Sequence, residues 1–224
     1  MTIAEVIAPS VGEQAYQRLR ADIVLARVAP GERLRLDRMK AQYEVGIGTL
    51  REILSRLAAE GLVLAEGQRG FAVPRVTVRG FREIADLRLV LESHALAQSF
   101  AAGDVDWEGR VVAAHHKLDV VERRMLPGGG DTGLWKRYDC EFHQALISAC
   151  GSGELMAAHA GAFDRYLRFL MVAACFRGEV ARAEHGAMRA AALARDVSGA
   201  QTVLAAHIAG CVDYVLAATH WPES

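Results

Sequence analysis

The sequence lacks the features of exported, membrane-spanning and cysteine-based metal proteins. Its first residues, MTIAEVIAPS, contain no basic region followed by a long apolar stretch, so we expect no signal peptide. No apolar run stands out as long enough to cross a bilayer, so we expect no membrane partner. The four cysteines form no Cys-x-x-Cys pair, which indicates reduced thiols in a cytoplasmic protein rather than zinc ligands.

The sequence also has few strand-like segments and no strong excess of basic residues. The formal net charge is −1, which does not by itself indicate a nucleic-acid-binding protein. Residues 1–75 nevertheless carry 11 Lys or Arg against 9 Asp or Glu, whereas the remainder carries 15 against 18. This mild asymmetry favours the N-terminal end as a site for DNA. An apolar content of 52% is sufficient for a core, and abundant alanine predicts a mainly helical body.

Residues 46–61, GIGTLREILSRLAAEG, form the most informative segment. Its apolar residues recur at steps of three and four, which predicts an amphipathic helix that ends at Gly61. Small residues at its start would allow close approach to phosphates, and Thr49 and Arg51 would then face the major groove. Taken alone, the segment fits an ordinary amphipathic surface helix better than a DNA-binding helix.

The neighbouring segments favour a DNA-binding interpretation. Residues 13–27 and 38–44 are predicted helices that precede the central helix, so the three make a helix-turn-helix unit. Residues 62–64 and 71–73 are predicted strands of a hairpin whose tip carries Gln68 and Arg69. The fold class is therefore mainly α, with a winged helix-turn-helix at the N-terminal end. The hairpin tip is suited to phosphate or minor-groove contact.

This pattern resembles the GntR family of transcriptional regulators. The resemblance runs through Pro30-Gly31, the LREILSRLAAEGLV segment and the Gly67-x-x-Gly70-Phe71 turn, and covers nearly all of residues 14–74. It implies a cytoplasmic regulator that binds double-stranded operator DNA through Thr49, Arg51, Gln68 and Arg69.

Two positions depart from the family pattern. Family members usually carry arginine near the start of the recognition helix, where this chain has Ile47, and some carry arginine in place of Asp37. Arg35 or Arg38 can take over a displaced contact, and we expect the operator to differ from the common family sequence.

The remainder of the chain is predicted to be an antiparallel helical bundle. A short connection over residues 74–80 gives two domains, residues 1–78 and 79–224. The predicted helices span residues 81–103, 106–125, 132–150, 153–176, 177–194 and 199–220. LRLVLESHAL, DCEFHQAL, AEHGAMRAA and LAAHI resemble the FCD ligand-binding domain of the FadR-type branch. The nearest resemblance is to regulators of carbon starvation and dicarboxylate catabolism, including a glutarate-responsive repressor.

Four residues of this region are candidate metal ligands. Asp139 and His143 are four residues apart and share one helix face, while His185 and His207 lie on two later helices. Such spacing also arises by chance, but all four positions are occupied as in metal-binding members of the branch. The resemblance therefore implies a divalent metal. Nitrogen and oxygen donors suit Zn²⁺ best, with Ni²⁺, Mn²⁺ or Fe²⁺ as competitors.

Two arginines are candidates for binding a small carboxylate or dicarboxylate effector. Arg88 and Arg168 lie on different predicted helices, and arginine binds carboxylates through paired hydrogen bonds. The alternative for Arg88 is an ion pair with Glu92 one turn later.

Together these features predict an effector-controlled transcriptional regulator, acting as a repressor and binding two half-sites as a homodimer. Two other interpretations stay open. One is a metal-dependent helical enzyme, although no additional general base, activated nucleophile or phosphate loop is recognisable. The other is a regulator whose metal only stabilises the bundle.

Overall fold

A computed structural model describes residues 9–126, 128–173 and 175–224. The helices in these ranges are α1 (Val11–Val24), α2 (Leu36–Tyr43), α3 (Ile47–Ala59), α4 (Val78–Ala102), α5 (Val105–Met125), α6 (Thr132–Ile147), α7 (Gly153–Val172), α8 (Glu179–Ala194) and α9 (Val197–Ala218). The strands are β1 (Arg33–Leu34), β2 (Leu64–Ala65) and β3 (Phe71–Ala72). The predicted fold class is confirmed, and predicted helix ends differ from the observed ones by up to four residues.

The chain divides into two compact units between Val76 and Thr77. The sequence placed the boundary at residue 78 and treated residues 74–80 as a connection. The observed connection is shorter because α4 begins at Val78. The Thr77 hydroxyl accepts a hydrogen bond from the Gly80 amide at 3.0 Å and so caps the first turn of this helix.

In the N-terminal unit, α2 and α3 form the helix-turn-helix. The predicted apolar stripe of α3 is its buried face, made of Leu50, Ile53, Leu54 and Leu57. The helix ends where the sequence predicts, because Gly61 adopts a φ of 74°, in the left-handed region that glycine occupies without strain.

The wing contains a strand that the sequence analysis did not predict. β2 and β3 form the expected antiparallel hairpin, although β2 begins at Leu64, the last residue of the strand predicted at 62–64. β1 pairs with the other edge of β3, giving the order β1-β3-β2. The two residues of β1 are too few to show the alternation that identifies a strand from sequence. The hairpin tip is a single 3₁₀ turn over Gly67–Arg69.

The C-terminal unit is a bundle of the six helices α4–α9. Like α4, four further helices of this unit begin with a side-chain cap, in which the residue before the helix accepts a hydrogen bond from the third backbone amide beyond it. These caps are Asp104, Asp131, Ser152 and Asp196. Helix α4 packs against α6, α7 and α9, while α5 packs against α6 and α8. This arrangement directs one face of α6, α8 and α9 into a shared interior.

Helix α9 qualifies the prediction that no segment could cross a membrane. Among the described residues it is the one helix that is long and apolar enough to do so by length and composition alone. In this fold α9 packs against α4 and α8, and its buried face includes His207 along with Leu204, Ile208 and Val215. Its apolar character thus belongs to a helix that supplies part of the bundle core.

Candidate metal centre and DNA-binding surface

The predicted DNA contacts lie on the surface of α2, α3 and the wing. Arg51, Gln68 and Arg69 are exposed, and Thr49 is partly buried at the start of α3. Arg35 and Arg38 are exposed at the start of α2. The side chains of these four arginines form no hydrogen bond or ion pair with any residue that the structure describes. Their charge is therefore available to an external anion such as a DNA phosphate.

Other arginines of the same unit are neutralised. Arg56, also on α3, lies 2.9 Å from a carboxylate oxygen of Glu13 and 3.5 Å from the centre of the Tyr16 ring. Arg20 pairs with Glu60 at 3.0 Å. These contacts join α1 to the end of α3, so Arg56 supports the helix whereas Arg51 is unpaired.

The four predicted metal ligands meet in the interior of the helical bundle. Asp139 and His143 project from one face of α6, and His185 and His207 reach the same point from α8 and α9. One ligand atom from each lies within 4.8 Å of all the others, and all four residues are buried. The packing of α6, α8 and α9 thus brings the four side chains to the same level along the bundle, which the sequence could not show.

Each histidine of this cluster is held by a glutamate that the sequence analysis missed. The pairs are Glu92 with Nδ1 of His143, Glu122 with Nδ1 of His185 at 2.9 Å, and Glu184 with Nδ1 of His207 at 2.7 Å. A carboxylate that accepts the Nδ1 proton fixes the ring orientation and leaves the Nε2 lone pair free. Carboxylates in this position are typical of metal-binding histidines.

The Nε2 atoms of two of these histidines point at one carboxylate oxygen. His185 Nε2 lies 3.3 Å and His143 Nε2 lies 3.8 Å from Oδ1 of Asp139. Both nitrogens are fully buried without a well-aligned hydrogen bond. A buried nitrogen left in this way costs about 1–3 kcal/mol. A divalent cation bound among these atoms would remove that cost, so the donor set fits a metal ion.

The protonation of the cluster is consistent with metal binding. Burial opposes the charged form of Asp139, but Lys136 and His185 outweigh it and hold the pKa of Asp139 well below its usual range. Burial lowers the pKa of His143, and lowers that of His207 to about 3. Burial also opposes protonation of His185, yet the neighbouring carboxylates of Asp139 and Glu122 raise its pKa to about 9. A bound metal would displace that proton.

A small cavity adjoins the cluster. Its volume is about 10 Å³, which is room for roughly one water molecule. Its lining includes Asp139, His185 and His207 together with Arg88, Lys136, Tyr166, Arg177, Cys175 and Cys211. The cations and thiols of this lining were not associated with the metal ligands by any sequence spacing.

The two predicted effector arginines differ in position. Arg88 lines the cavity, is 1% exposed and pairs with Glu92 at 3.0 Å, so the ion pair considered as its alternative is present. Its Nη2 atom is nevertheless buried without a hydrogen bond. Arg168 is buried on α7 but is not part of the cavity lining. Arg177 and Lys136, which the sequence analysis did not select, supply positive charge there instead.

The N-terminal unit is a winged helix-turn-helix with unpaired arginines, and the second unit is a helical bundle with a buried histidine–aspartate cluster. This combination defines the class of DNA-binding transcriptional regulators with a second, helical domain. The chain belongs to the GntR family, in the branch that carries an FCD domain. Residues 11–73 match the bacterial regulatory proteins of the gntR family, and residues 83–210 match the FCD domain. It is a DNA-binding regulator and not an enzyme.

Sequence relatives agree with this assignment, and a solved structure shares the fold. The chain is 37% identical over 209 residues to the regulator BphR of Paraburkholderia xenovorans (strain LB400), covering 92% of this chain and 85% of that one. It is 30% identical to the repressor GlaR of Escherichia coli (strain K12), covering 86% and 90%. The fold matches E. coli McbR/YncC with a TM-score of 0.78 at 20% identity, over 94% and 99% of the two chains.

Proposed function

We propose that this protein is a cytoplasmic repressor whose operator binding is controlled by a small carboxylate bound at a divalent metal in the helical domain. The observation that carries the proposal is the convergence of two buried Nε2 atoms, those of His143 and His185, on Oδ1 of Asp139 at 3.8 and 3.3 Å. We assign Asp139, His143, His185 and His207 as the metal ligands.

Zn²⁺ suits this donor set best, because three imidazoles and one carboxylate give a compact site with nitrogen and oxygen ligands. The bound ion would act as a Lewis acid that accepts a carboxylate oxygen of the effector. The glutamates at the Nδ1 atoms would hold the three rings in place during exchange of that ligand.

The charges around the cavity favour an anionic effector. Arg88 Nη2 is a buried donor without a partner, and a carboxylate oxygen would supply the acceptor it lacks. Lys136 and Arg177 also line the cavity, and each is paired with a carboxylate, Lys136 with Asp139 at 3.6 Å and Arg177 with Glu184. Arg168 stays a predicted effector residue, although it lies outside this lining.

Arg177 offers a sharp test of the effector site. A methyl group added at Gly210 would lie 2.8 Å from Nη1 of Arg177, so Gly210→Ala must displace the guanidinium. We expect this variant to respond to effector only at higher concentrations. Gly186→Ala on α8 is the matched control, because nothing lies within 4 Å of the added methyl.

On the DNA side, we assign Arg51 and Thr49 to contacts in the major groove. We assign Gln68 and Arg69 to contacts with the minor groove or the phosphates beside the wing. Arg35 and Arg38 would replace the base contact that family members make with the arginine missing here. The protein would act as a homodimer on two half-sites about one helical turn apart.

The test combines metal analysis with DNA binding. A duplex selected from random sequence by the protein itself serves as the operator, and its affinity is followed by fluorescence anisotropy in zinc-loaded and chelator-treated protein. Succinate, glutarate and adipate are then titrated as probes. We expect about one metal ion per chain and release of DNA by a dicarboxylate only in the zinc-loaded protein. If none of the three acids changes the DNA affinity of either the zinc-loaded or the chelator-treated protein, the proposed effector class is refuted.

A purely structural metal is the second candidate, and the small volume of the cavity favours it. In that case, metal removal would lower the melting temperature while the same acids would have no effect on DNA binding with or without metal.

A further inference from the structure

Two cysteines meet at the wall of the metal-site cavity. The Sγ atoms of Cys175 and Cys211 lie 3.6 Å apart, and both residues are buried. Cys175 comes from the segment before α8, whereas Cys211 lies within α9. Cys140 and Cys150 make no such contact, so the pairing is specific to two of the four cysteines.

This thiol pair is linked to the metal ligands on both sides. Cys211 follows His207 by four residues and therefore lies on the same face of α9, one turn away. Cys175 precedes Arg177 by two residues, and Nη2 of Arg177 donates to the His207 carbonyl at 3.1 Å. Arg177 Nη1 also donates to Glu184 at 3.2 Å, and Glu184 holds the His207 ring.

The separation of the two sulfurs is short enough for a covalent bond after a small movement. A disulfide requires about 2.05 Å, so the sulfurs must approach by roughly 1.5 Å, which side-chain rotation with a small shift of the connecting segment can supply. The segment that carries Cys175 joins two helices rather than lying inside one, so it can take up such a shift at lower cost than α9.

We propose that Cys175 and Cys211 form a reversible disulfide on oxidation by a peroxide, and that closing this bond weakens metal binding through His207. The second half of the proposal rests on the proposed metal site. The first half, formation of the bond, does not.

The chemistry requires one peroxide for each disulfide. The Cys211 thiolate attacks one oxygen of hydrogen peroxide, the O–O bond breaks, and the departing hydroxide takes up a proton, leaving a sulfenic acid on Cys211. Cys175 then attacks that sulfur, loses its proton, and the S–O bond breaks with release of water. Two thiols are oxidised and one peroxide is reduced to two waters. The hydrogen bond from Cys175 lowers the pKa of Cys211, which supports this order of attack.

Formation of the disulfide would weaken metal binding by shifting residues that hold His207 in place. Drawing Cys175 toward α9 moves Arg177, which contacts the His207 carbonyl and the glutamate behind its ring. Changes in residues that orient a metal ligand typically cost 10–100-fold in affinity, and we expect the oxidised protein to bind Zn²⁺ about tenfold more weakly.

The experiment uses the full-length protein, reduced and then treated with a small excess of hydrogen peroxide, with and without Zn²⁺. Intact mass, free-thiol titration and peptide mapping follow bond formation, and chelator competition measures zinc affinity before and after oxidation. We expect the mass of two hydrogens to be lost, the four free thiols to fall to two, and one linked peptide pair containing Cys175 and Cys211. Dithiothreitol should restore both the thiols and the zinc affinity.

Matched variants give the controls. Cys140→Ser/Cys150→Ser should form the bond as the wild type does, whereas Cys175→Ser and Cys211→Ser should not. Peptide mapping identifies the disulfide directly in the wild-type protein. The proposal can therefore be tested even if one of the serine variants does not fold. Oxygen addition without a Cys175–Cys211 link, or a link between other cysteines, would overturn the proposal.

Unchanged zinc affinity in a protein that has formed the bond would overturn the coupling to the metal. If the reduced protein binds no metal at all, the proposed metal site and the coupling both fail, and peptide mapping still decides whether the disulfide forms.

Discussion

The two units of this protein both contain polar groups without partners, but in opposite settings. On the N-terminal unit, the side chains of Arg35, Arg38, Arg51 and Arg69 are exposed and unpaired among the described residues. In the helical unit, the Nε2 atoms of His143 and His185 are fully buried and make no well-aligned hydrogen bond, although both face Oδ1 of Asp139. Water solvates an exposed guanidinium at little cost, whereas a buried unpaired nitrogen costs about 1–3 kcal/mol.

The comparison shows how much each unit reveals about its ligand. The buried nitrogens converge on one carboxylate, so their geometry suits a small cation at a defined point. The exposed arginines indicate only that this surface can bind an anion. Membership of the GntR family identifies that anion as DNA, and the structure adds which arginines are free to reach it.

The largest expected effect follows from removing a metal ligand. His185→Ala, or the nearly isosteric Asp139→Asn, should lower zinc affinity by at least about a hundredfold, because a compact four-ligand site loses one donor. Chelator competition on the purified protein measures this loss. His116→Ala, at an exposed histidine of α5, is the control and should bind metal as the wild type does. Normal affinity in both ligand variants would refute the assignment.

The next effect concerns base recognition by α3. Arg51→Ala should weaken binding to the selected operator by about 1–3 kcal/mol, because a guanidinium that contacts a base edge has no replacement. Arg56→Ala on the same helix is the matched control, since Arg56 is already paired with Glu13. Anisotropy should show little loss of affinity for this control, and thermal melting should show lower stability. Equal losses in the two variants would remove the distinction between paired and unpaired arginines.

The glutamates behind the histidines should matter less than the ligands themselves. Glu122→Gln keeps the shape of the side chain but removes the charge that orients His185, so zinc affinity should fall by about tenfold. Glu141→Gln, on the outside of α6 where Glu141 pairs with Lys117, should leave affinity unchanged. Zinc affinity equal to wild type in Glu122→Gln would mean that packing alone orients the ring.

The smallest effect is expected at the wing tip. Arg69→Ala should weaken operator binding by about two- to fivefold on all sequences and reduce the salt-dependence slope by about one, as expected for a phosphate contact. Arg33→Ala is the control, because Arg33 lies 3.9 Å from Glu66 and is partly neutralised. Titrations at several salt concentrations distinguish the two. A loss for Arg69→Ala that depends on sequence would instead place this arginine in a groove.

Local sequence patterns predicted most of the fold, because those elements depend on short-range periodicity. The apolar residues that recur at three- and four-residue steps along α3 form its buried face, and Gly61 ends the helix because it adopts the left-handed conformation. Strand β1 was missed because it has two residues and exists only through pairing with β3. Ends of helices were misplaced where caps decide them, as Thr77 does for α4.

The candidate metal site was predictable only in part. The spacing of Asp139 and His143 places both on one helix face, and the family resemblance added His185 and His207. Glu92 was considered only as a partner of Arg88, and Glu122 and Glu184 were not considered, because each is a single acidic residue on a different helix with no spacing that relates it to its histidine. The pairing of Cys175 with Cys211 was invisible for the same reason.

By itself, the sequence determined which segments are helical, which faces are apolar and which family the chain resembles, since periodicity, capping and motifs are local properties of a chain. Tertiary structure alone decided which charges are neutralised, which nitrogens are left facing Asp139 and which thiols touch. Those properties depend on distances between side chains from separate helices, and such distances are set only when the helices pack.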